Sequence, residues 1–232
     1  MAGSAAVMAM TLGWANPAHA RKAPDLSVCE RFPLHPEAND EREDPLALPA
    51  DWAGIAASSR NWIAIATEYR TTYCVNTERM LYGGNFERFG DRFIGFSYVA
   101  AETHGYMLID RAGQGRAIDT GVRPHFSPDG SKFAVLNRAD TGMEGFDGFA
   151  IWHTYGNLLT PYLVNAGPPQ YPMLDWAIDY WDGENCLHIS AVPYDELGAG
   201  QDTVSDDLRY SYVAHPAIEW QIAEGETCSG SE

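Results

Sequence analysis

The sequence predicts an all-β fold, a small propeller-like array of about four antiparallel sheets. Short segments rich in β-branched and aromatic residues alternate with Gly, Asn, Asp and Pro, which is typical of strands and turns. A turn-and-strand unit also recurs along the chain, and few stretches have a helical period. A β-sandwich built from the same hairpins is the structural alternative.

Seven segments between the turns have the composition of strands. They are residues 62–66, 92–98, 106–110, 132–136, 149–153, 187–192 and 210–214. We therefore expect a predominantly β domain over residues 51–225.

The recurring unit consists of a turn with Asp and Gly, an apolar strand, a spacer and a second aromatic strand. Corresponding strand positions in four copies are Trp62, Phe93, Phe133 and Leu187, which are 31, 40 and 54 residues apart. A period of about 40 to 45 residues is typical of a β-propeller blade with four strands. Four copies predict either a four-bladed ring or an open array of sheets.

One copy resembles a known repeat. Residues Phe126 to Ala134 read Phe-Ser-Pro-Asp-Gly-Ser-Lys-Phe-Ala. Pro128 and Asp129 suit a tight turn, and Gly130 suits a positive φ. This segment is similar to the turn into a blade strand in TolB-like and WD40-like β-propellers. The resemblance implies a periplasmic protein that binds other proteins through one face of a propeller.

The N-terminus has the features of a secretory signal. An uncharged apolar run covers residues 2–14, and Ala18-His19-Ala20 has the small-x-small pattern of a signal peptidase site. No Lys or Arg precedes this run, so a short apolar N-terminal helix is the alternative. The signal interpretation assigns residues 1–20 to the leader and predicts a periplasmic or secreted protein. No later apolar run reaches the roughly 18 to 20 residues of a transmembrane segment.

Two flanking segments show no apolar period. Residues 21–50 include five prolines and a run of charges at 37–44, which predicts an extended N-terminal arm. The last seven residues, 226–232, include Gly, Ser and Glu and predict a flexible tail.

The four cysteines are Cys29, Cys74, Cys186 and Cys228. An even number in an exported chain predicts two disulfide bonds, because the compartment is oxidising. Three pairings satisfy this count, and spacing does not choose among them. A Cys29–Cys228 bridge would join the two ends and suit ring closure.

The charge balance limits the partners. The 15 Lys and Arg residues against 32 Asp and Glu residues give a net charge of −17. Such a chain repels the phosphates of nucleic acids, so we expect it not to bind nucleic acids. The same charge predicts a partner with a basic surface.

No common catalytic motif is present, and the densest chemical cluster lies near residue 180. The chain has no Gly-x-Ser-x-Gly, His-Glu-x-x-His, Walker A or Gly-x-Gly-x-x-Gly pattern. The cluster alternates acidic and aromatic side chains: Asp175, Trp176, Asp179, Tyr180, Trp181, Asp182 and Glu184. Carboxylates with indole rings suit a sugar site, and clustered carboxylates suit Ca²⁺. The favoured interpretation is a blade core followed by a solvated acidic turn.

His125 directly precedes the Phe126 turn, and we expect it to face a propeller channel. Taken together, these features predict an exported, non-catalytic module that binds a protein or a cell-envelope component. The alternative is a protein that binds or hydrolyses glycans through the Trp176–Glu184 cluster. No residue is assigned a catalytic role, and neither a metal nor a cofactor is required.

Overall fold

A computed structural model describes residues 24–35, 42–100, 103–137, 146–156, 159–165, 173–193 and 208–228. The predicted signal segment, residues 1–20, lies outside them. The described parts contain one short α-helix, α1 (Leu26–Cys29), and two 3₁₀ turns at Ala50–Trp52 and Pro216–Ile218. No helix in these parts is long and apolar enough to cross a membrane.

Fifteen strands in the described residues form four antiparallel sheets. The first sheet contains β1 (Ala56–Ser58), β2 (Trp62–Ala66) and β3 (Thr72–Asn76). The second contains β4 (Met80–Phe89), β5 (Phe93–Ala100), β6 (Thr103–Asp110) and β7 (Arg116–Asp119). The third contains β8 (His125–Phe126), β9 (Lys132–Asn137), β10 (Gly148–His153) and β11 (Thr160–Asn165). The fourth contains β12 (Met173–Asp182), β13 (Cys186–Pro193), β14 (Tyr210–Ala214) and β15 (Ala223–Glu224).

The strands of each sheet are consecutive in sequence, so every sheet is a simple meander. This confirms the predicted all-β array of four antiparallel sheets. The Greek-key order of an immunoglobulin-type sandwich requires strands that cross between sheets, and the described residues contain no such crossing.

Three hydrophobic cores join the sheets in sequence order. The first core lies between the first and second sheets and includes Ile63 and Phe96. The second lies between the second and third sheets and includes Phe93 and Phe133. The third lies between the third and fourth sheets and includes Ile151, Leu187 and Ile189. Within the described residues, no core connects the first sheet to the fourth. The four sheets therefore form an open row in the part of the chain that the structure describes.

Both disulfides are local to the ends of this row. Cys29 bonds to Cys74, and Cys186 bonds to Cys228. The Cys29–Cys228 bridge that would suit ring closure is therefore absent. The first bond docks α1 on the first sheet, so part of the predicted extended arm is held against the domain. The second holds Cys228, which lies in the predicted flexible tail. Both bonds fit folding in an oxidising environment.

At each boundary between sheets, a buried or half-buried cationic side chain donates a hydrogen bond to a backbone carbonyl of the neighbouring sheet or its turns. Arg111, at the end of β6, donates to the carbonyl of Ala66 in the first sheet at 2.9 Å. Arg92, before β5, donates to the carbonyl of Thr154 in the third sheet. Lys132, at the start of β9, donates to the carbonyl of Glu184, which lies in the turn between β12 and β13 of the fourth sheet, at 3.1 Å. Each of the three contacts joins residues in or beside hairpin turns of neighbouring sheets.

The longest strands were not predicted. β4 contains two glycines, and β12 contains three aspartates, so neither sequence resembles a strand. Both are edge strands with irregular register, and a strand that is paired on one side only tolerates glycine and polar residues. Residues 175–182 of the acidic and aromatic cluster belong to β12, and Glu184 lies in the turn that follows this strand.

Candidate functional site

The edge strands β4, β8 and β12 meet around a cavity of about 320 Å³. Each of these strands is the first strand of its sheet. We name this space the aromatic cavity. Its lining comprises Phe89, Arg123, Pro124, His125, Phe126, Pro128, Tyr180 and Trp181. Three residues singled out from the sequence, His125, Tyr180 and Trp181, thus come together.

Aromatic packing and one hydrogen bond hold the cavity walls. The ring of Phe126 stacks on Phe89 with centroids 4.7 Å apart, joining the third sheet to the second. The indole nitrogen Nε1 of Trp181 donates to the carbonyl of His125 at 3.0 Å. Trp181 also packs edge-on against buried Trp220, with centroids 5.9 Å apart. Trp181 is therefore held both by the third sheet, through the His125 carbonyl, and by the core of the fourth sheet, through Trp220.

The cavity is close to electrically neutral. Burial, together with the positive charge of Arg123, lowers the pKa of His125, although nearby Asp179 opposes this shift. The imidazole is therefore neutral at pH 7 and offers one donor and one acceptor. Arg123 forms an ion pair with Glu87 at 2.7 Å, and its guanidinium lies 5.2 Å from the centre of the Phe89 ring.

The acidic and aromatic cluster of β12 divides between the two faces of the strand. Trp176, Ile178 and Trp181 pack towards the core between the third and fourth sheets. The side chains on the other face or in the following turn are exposed: Asp175, Asp179, Tyr180, Asp182 and Glu184. Part of the cluster therefore belongs to the core and part to the surface, and its side chains do not all face one binding site.

The exposed members of the cluster have separate partners. Asp175 forms an ion pair with Arg209. Asp179 accepts a hydrogen bond of 2.8 Å from the hydroxyl of Ser190. Tyr180 stacks on His188 with ring centroids 4.3 Å apart. These contacts give each side chain a position on the outer face of the fourth sheet.

One group in the described residues has three candidate metal-ligand atoms, on Asp182, Cys186 and His188, all within 4.8 Å of one another. Cys186 is bonded to Cys228, and a disulfide sulfur is not the thiolate that binds metals. Two donors remain, fewer than a structural metal site requires. Within the same residues, Asp175, Asp179 and Glu184 belong to no such group.

A second cavity of about 410 Å³ adjoins the first and shares Phe89, Phe126 and Pro128 with it. It lies between the turn after β4, residues 90–92, and the turn after β8, residues 127–131. We name it the turn cavity. Two carboxylates line it from opposite turns, Asp91 and Asp129.

The Phe126–Ala134 segment forms the hairpin that its sequence predicts. Gly130 has a φ of 69°, and its amide donates to the carbonyl of Ser127 at 2.8 Å. The carboxylate of Asp129 accepts from the Ser127 hydroxyl and the Ser131 amide, which closes the turn. This hairpin supplies residues to both cavities.

A larger cavity, about 790 Å³, lies elsewhere, between α1 and the first sheet. Its lining is uncharged and includes Phe32, Trp62 and Tyr73. The aromatic cavity is smaller, but it combines aromatic walls, a neutral imidazole and an ion pair, as expected of a selective binding site.

Sequence reasoning missed Phe89, Arg123, Asp91 and the cavity role of Phe126. The repeat contains a pattern that could have identified two of them: Phe89 and Phe126 each end the first strand of a sheet, directly before its turn. The cavity becomes visible only when those strand ends are brought together. No family model, curated protein or solved structure matches the chain.

Proposed function

We propose that this chain is an exported, non-catalytic module that binds a protein of the cell envelope through the aromatic cavity. The observation that carries the proposal is the meeting of three sheets around His125, Phe126, Tyr180 and Trp181. The periplasm, or the outside of the cell, is the proposed location. The two disulfides support an oxidising compartment.

The lining of the aromatic cavity supports binding more than turnover. Among the described residues that line it, the ionisable side chains are Arg123, His125 and Tyr180, and none is a carboxylate or a Ser or Cys nucleophile. Aromatic rings supply large contact areas, and Tyr and Trp are frequent at the centres of protein interfaces. Tyr180 is 56% exposed at the rim, where a partner can cover it.

The net charge of −17 supports a partner with a basic surface. Long-range attraction raises the association rate, and salt screens it. We therefore expect association to slow as the salt concentration rises.

Site-specific photo-crosslinking tests the proposal. A benzophenone amino acid replaces Tyr180 in the mature chain, and an envelope extract of the source organism is irradiated with it. Tyr210 provides the matched control, because it lies on the same sheet and is 44% exposed. We expect one discrete protein adduct from position 180, reduced by salt, and none from position 210. Equal labelling from both positions, or none from either, would overturn the proposal.

Glycan binding is the second candidate, favoured by the exposed aromatic and acidic face of β12. It predicts that Asp179→Asn and Asp182→Asn abolish binding of envelope glycan fragments without lowering the melting temperature. Both side chains are exposed, so these substitutions leave the core intact. Titration of Trp181 fluorescence with these fragments distinguishes this candidate from the first, which predicts no glycan response.

A further inference from the structure

The turn cavity and the aromatic cavity lie side by side, and we call the two together the groove. They meet over Phe89, Phe126 and Pro128, which line both. A ligand that occupies both cavities must therefore cross the rings of Phe89 and Phe126. Such a ligand presents two neighbouring groups, one to each cavity.

The described lining of the turn cavity includes two carboxylates, Asp91 and Asp129, and one cation, Arg92. The charge of Arg92 is balanced by Asp110, which accepts two hydrogen bonds of 2.7 Å from it. Arg88 pairs with Asp91 and Lys132 lies near Asp129, but both carboxylates are exposed, so water screens these attractions. Burial alone would raise the pKa of Asp129, but hydrogen bonds from Ser127 and Ser131 and the charge of Lys132 lower it to about 2.

Asp91 is available to a ligand. Its ion pair with Arg88 is 3.3 Å long, and the Asp91 side chain is 86% exposed. Exposed pairs of this kind contribute little free energy, so an incoming cation can compete for the carboxylate.

The aromatic cavity requires a different group. Its imidazole at His125 is neutral at pH 7, and Glu87 balances Arg123. Apolar and aromatic side chains suit this environment, because they lose no hydrogen bond on entry. The groove thus places an aromatic space directly beside one that is lined by two exposed carboxylates.

We infer that the groove binds a peptide segment in which an aromatic side chain stands next to Lys or Arg. The aromatic side chain occupies the cavity beside His125 and Trp181, and the cation lies between Asp91 and Asp129. The inference rests on the proposed function and names the partner's recognition segment. The net charge of −17 complements such a basic segment.

Two short peptides test the inference by NMR titration of the full mature chain. One is N-acetyl-Trp-Arg-amide, and the other is N-acetyl-Trp-Leu-amide, which lacks the cation. We expect the Arg peptide to shift the amide signals of both turns and to bind about fivefold more tightly than the Leu peptide, as one charge-assisted contact allows.

Charge-removing variants locate the cation. Asp91→Asn and Asp129→Asn should each weaken the Arg peptide severalfold and leave the Leu peptide unchanged. The amide introduced by Asp129→Asn retains an acceptor for Ser131, so the turn is preserved, and an unchanged melting temperature verifies this. Glu224→Gln, an exposed change on β15, is the matched control and should have no effect.

The outcomes separate this inference from the proposed function. Equal binding of both peptides, unaffected by either Asp variant, overturns the cation site and leaves the aromatic cavity as the binding site. Failure of both peptides overturns the inference, whereas failure of photo-crosslinking at Tyr180 overturns the proposed function.

Discussion

Arg92 holds the buried carboxylate of Asp110 through two parallel hydrogen bonds of 2.7 Å. The Asp110 side chain is only 4% exposed, so Arg92 provides the charge that makes its burial tolerable. The third guanidinium nitrogen donates to the carbonyl of Thr154 in the next sheet. One ion pair thus stabilises the second sheet and its boundary with the third.

Removal of the Arg92 charge should destabilise the protein strongly. Arg92→Met leaves the buried Asp110 carboxylate with the Ala112 amide but without a cation, and we expect a loss of about 3–5 kcal/mol in the free energy of unfolding. Urea denaturation at pH 7 measures it. Arg88→Met is the matched control, since the exposed Arg88–Asp91 pair should contribute less than about 1 kcal/mol. Equal losses in the two variants would contradict this account.

The two disulfides should act independently at opposite ends of the row. They join residues 45 and 42 positions apart, and loops of this length correspond to about 4 kcal/mol each in the chain-entropy model. We expect the double variants Cys29→Ser/Cys74→Ser and Cys186→Ser/Cys228→Ser to show similar losses of stability in thermal unfolding. Peptide mapping without reduction should show the same two pairs, and a linked Cys29–Cys228 peptide would refute the pairing.

Acid should weaken the fold through His125. Its pKa in the folded state is below the ordinary 6.5, so the unfolded chain binds the proton more readily. Stability is therefore full above pH 6.5 and falls as the pH drops from 6.5 towards the lowered pKa. His125→Gln should reduce this loss, as urea denaturation between pH 7.5 and 5.5 will show. His104→Gln, at an exposed position, should behave like the unchanged protein.

The strand pattern could be predicted because the middle strands of each sheet are largely buried on both faces. Predicted residues 62–66 and 210–214 coincide with β2 and β14, and the other five predicted segments overlap observed strands. The edge strands β4 and β12 could not be found in this way. Their glycines and aspartates are tolerated because a strand paired on one side leaves half of its backbone in water.

The candidate site was only partly predictable, because it forms where the edge strands of three sheets come together. His125, Tyr180 and Trp181 were singled out as unusual polar and aromatic residues, and they meet in one cavity. Phe89 and Arg123 look ordinary in sequence, and their role depends on contacts between sheets. The disulfide pairing likewise depends on which strands are neighbours, and four cysteines alone leave three solutions.

Because Tyr106 packs over Gly95, replacement of this glycine should lower the stability of the protein. A Cβ at Gly95 would lie 2.6 Å from the Tyr106 ring, which is only 2% exposed and has no room to move. We expect Gly95→Ala to cost about 1–3 kcal/mol in urea denaturation. A Cβ at Gly84 would lie equally close to Tyr82, but that ring is 63% exposed and swings away, so Gly84→Ala should be nearly neutral. Equal costs would show that backbone freedom, rather than the buried ring, requires glycine in this sheet.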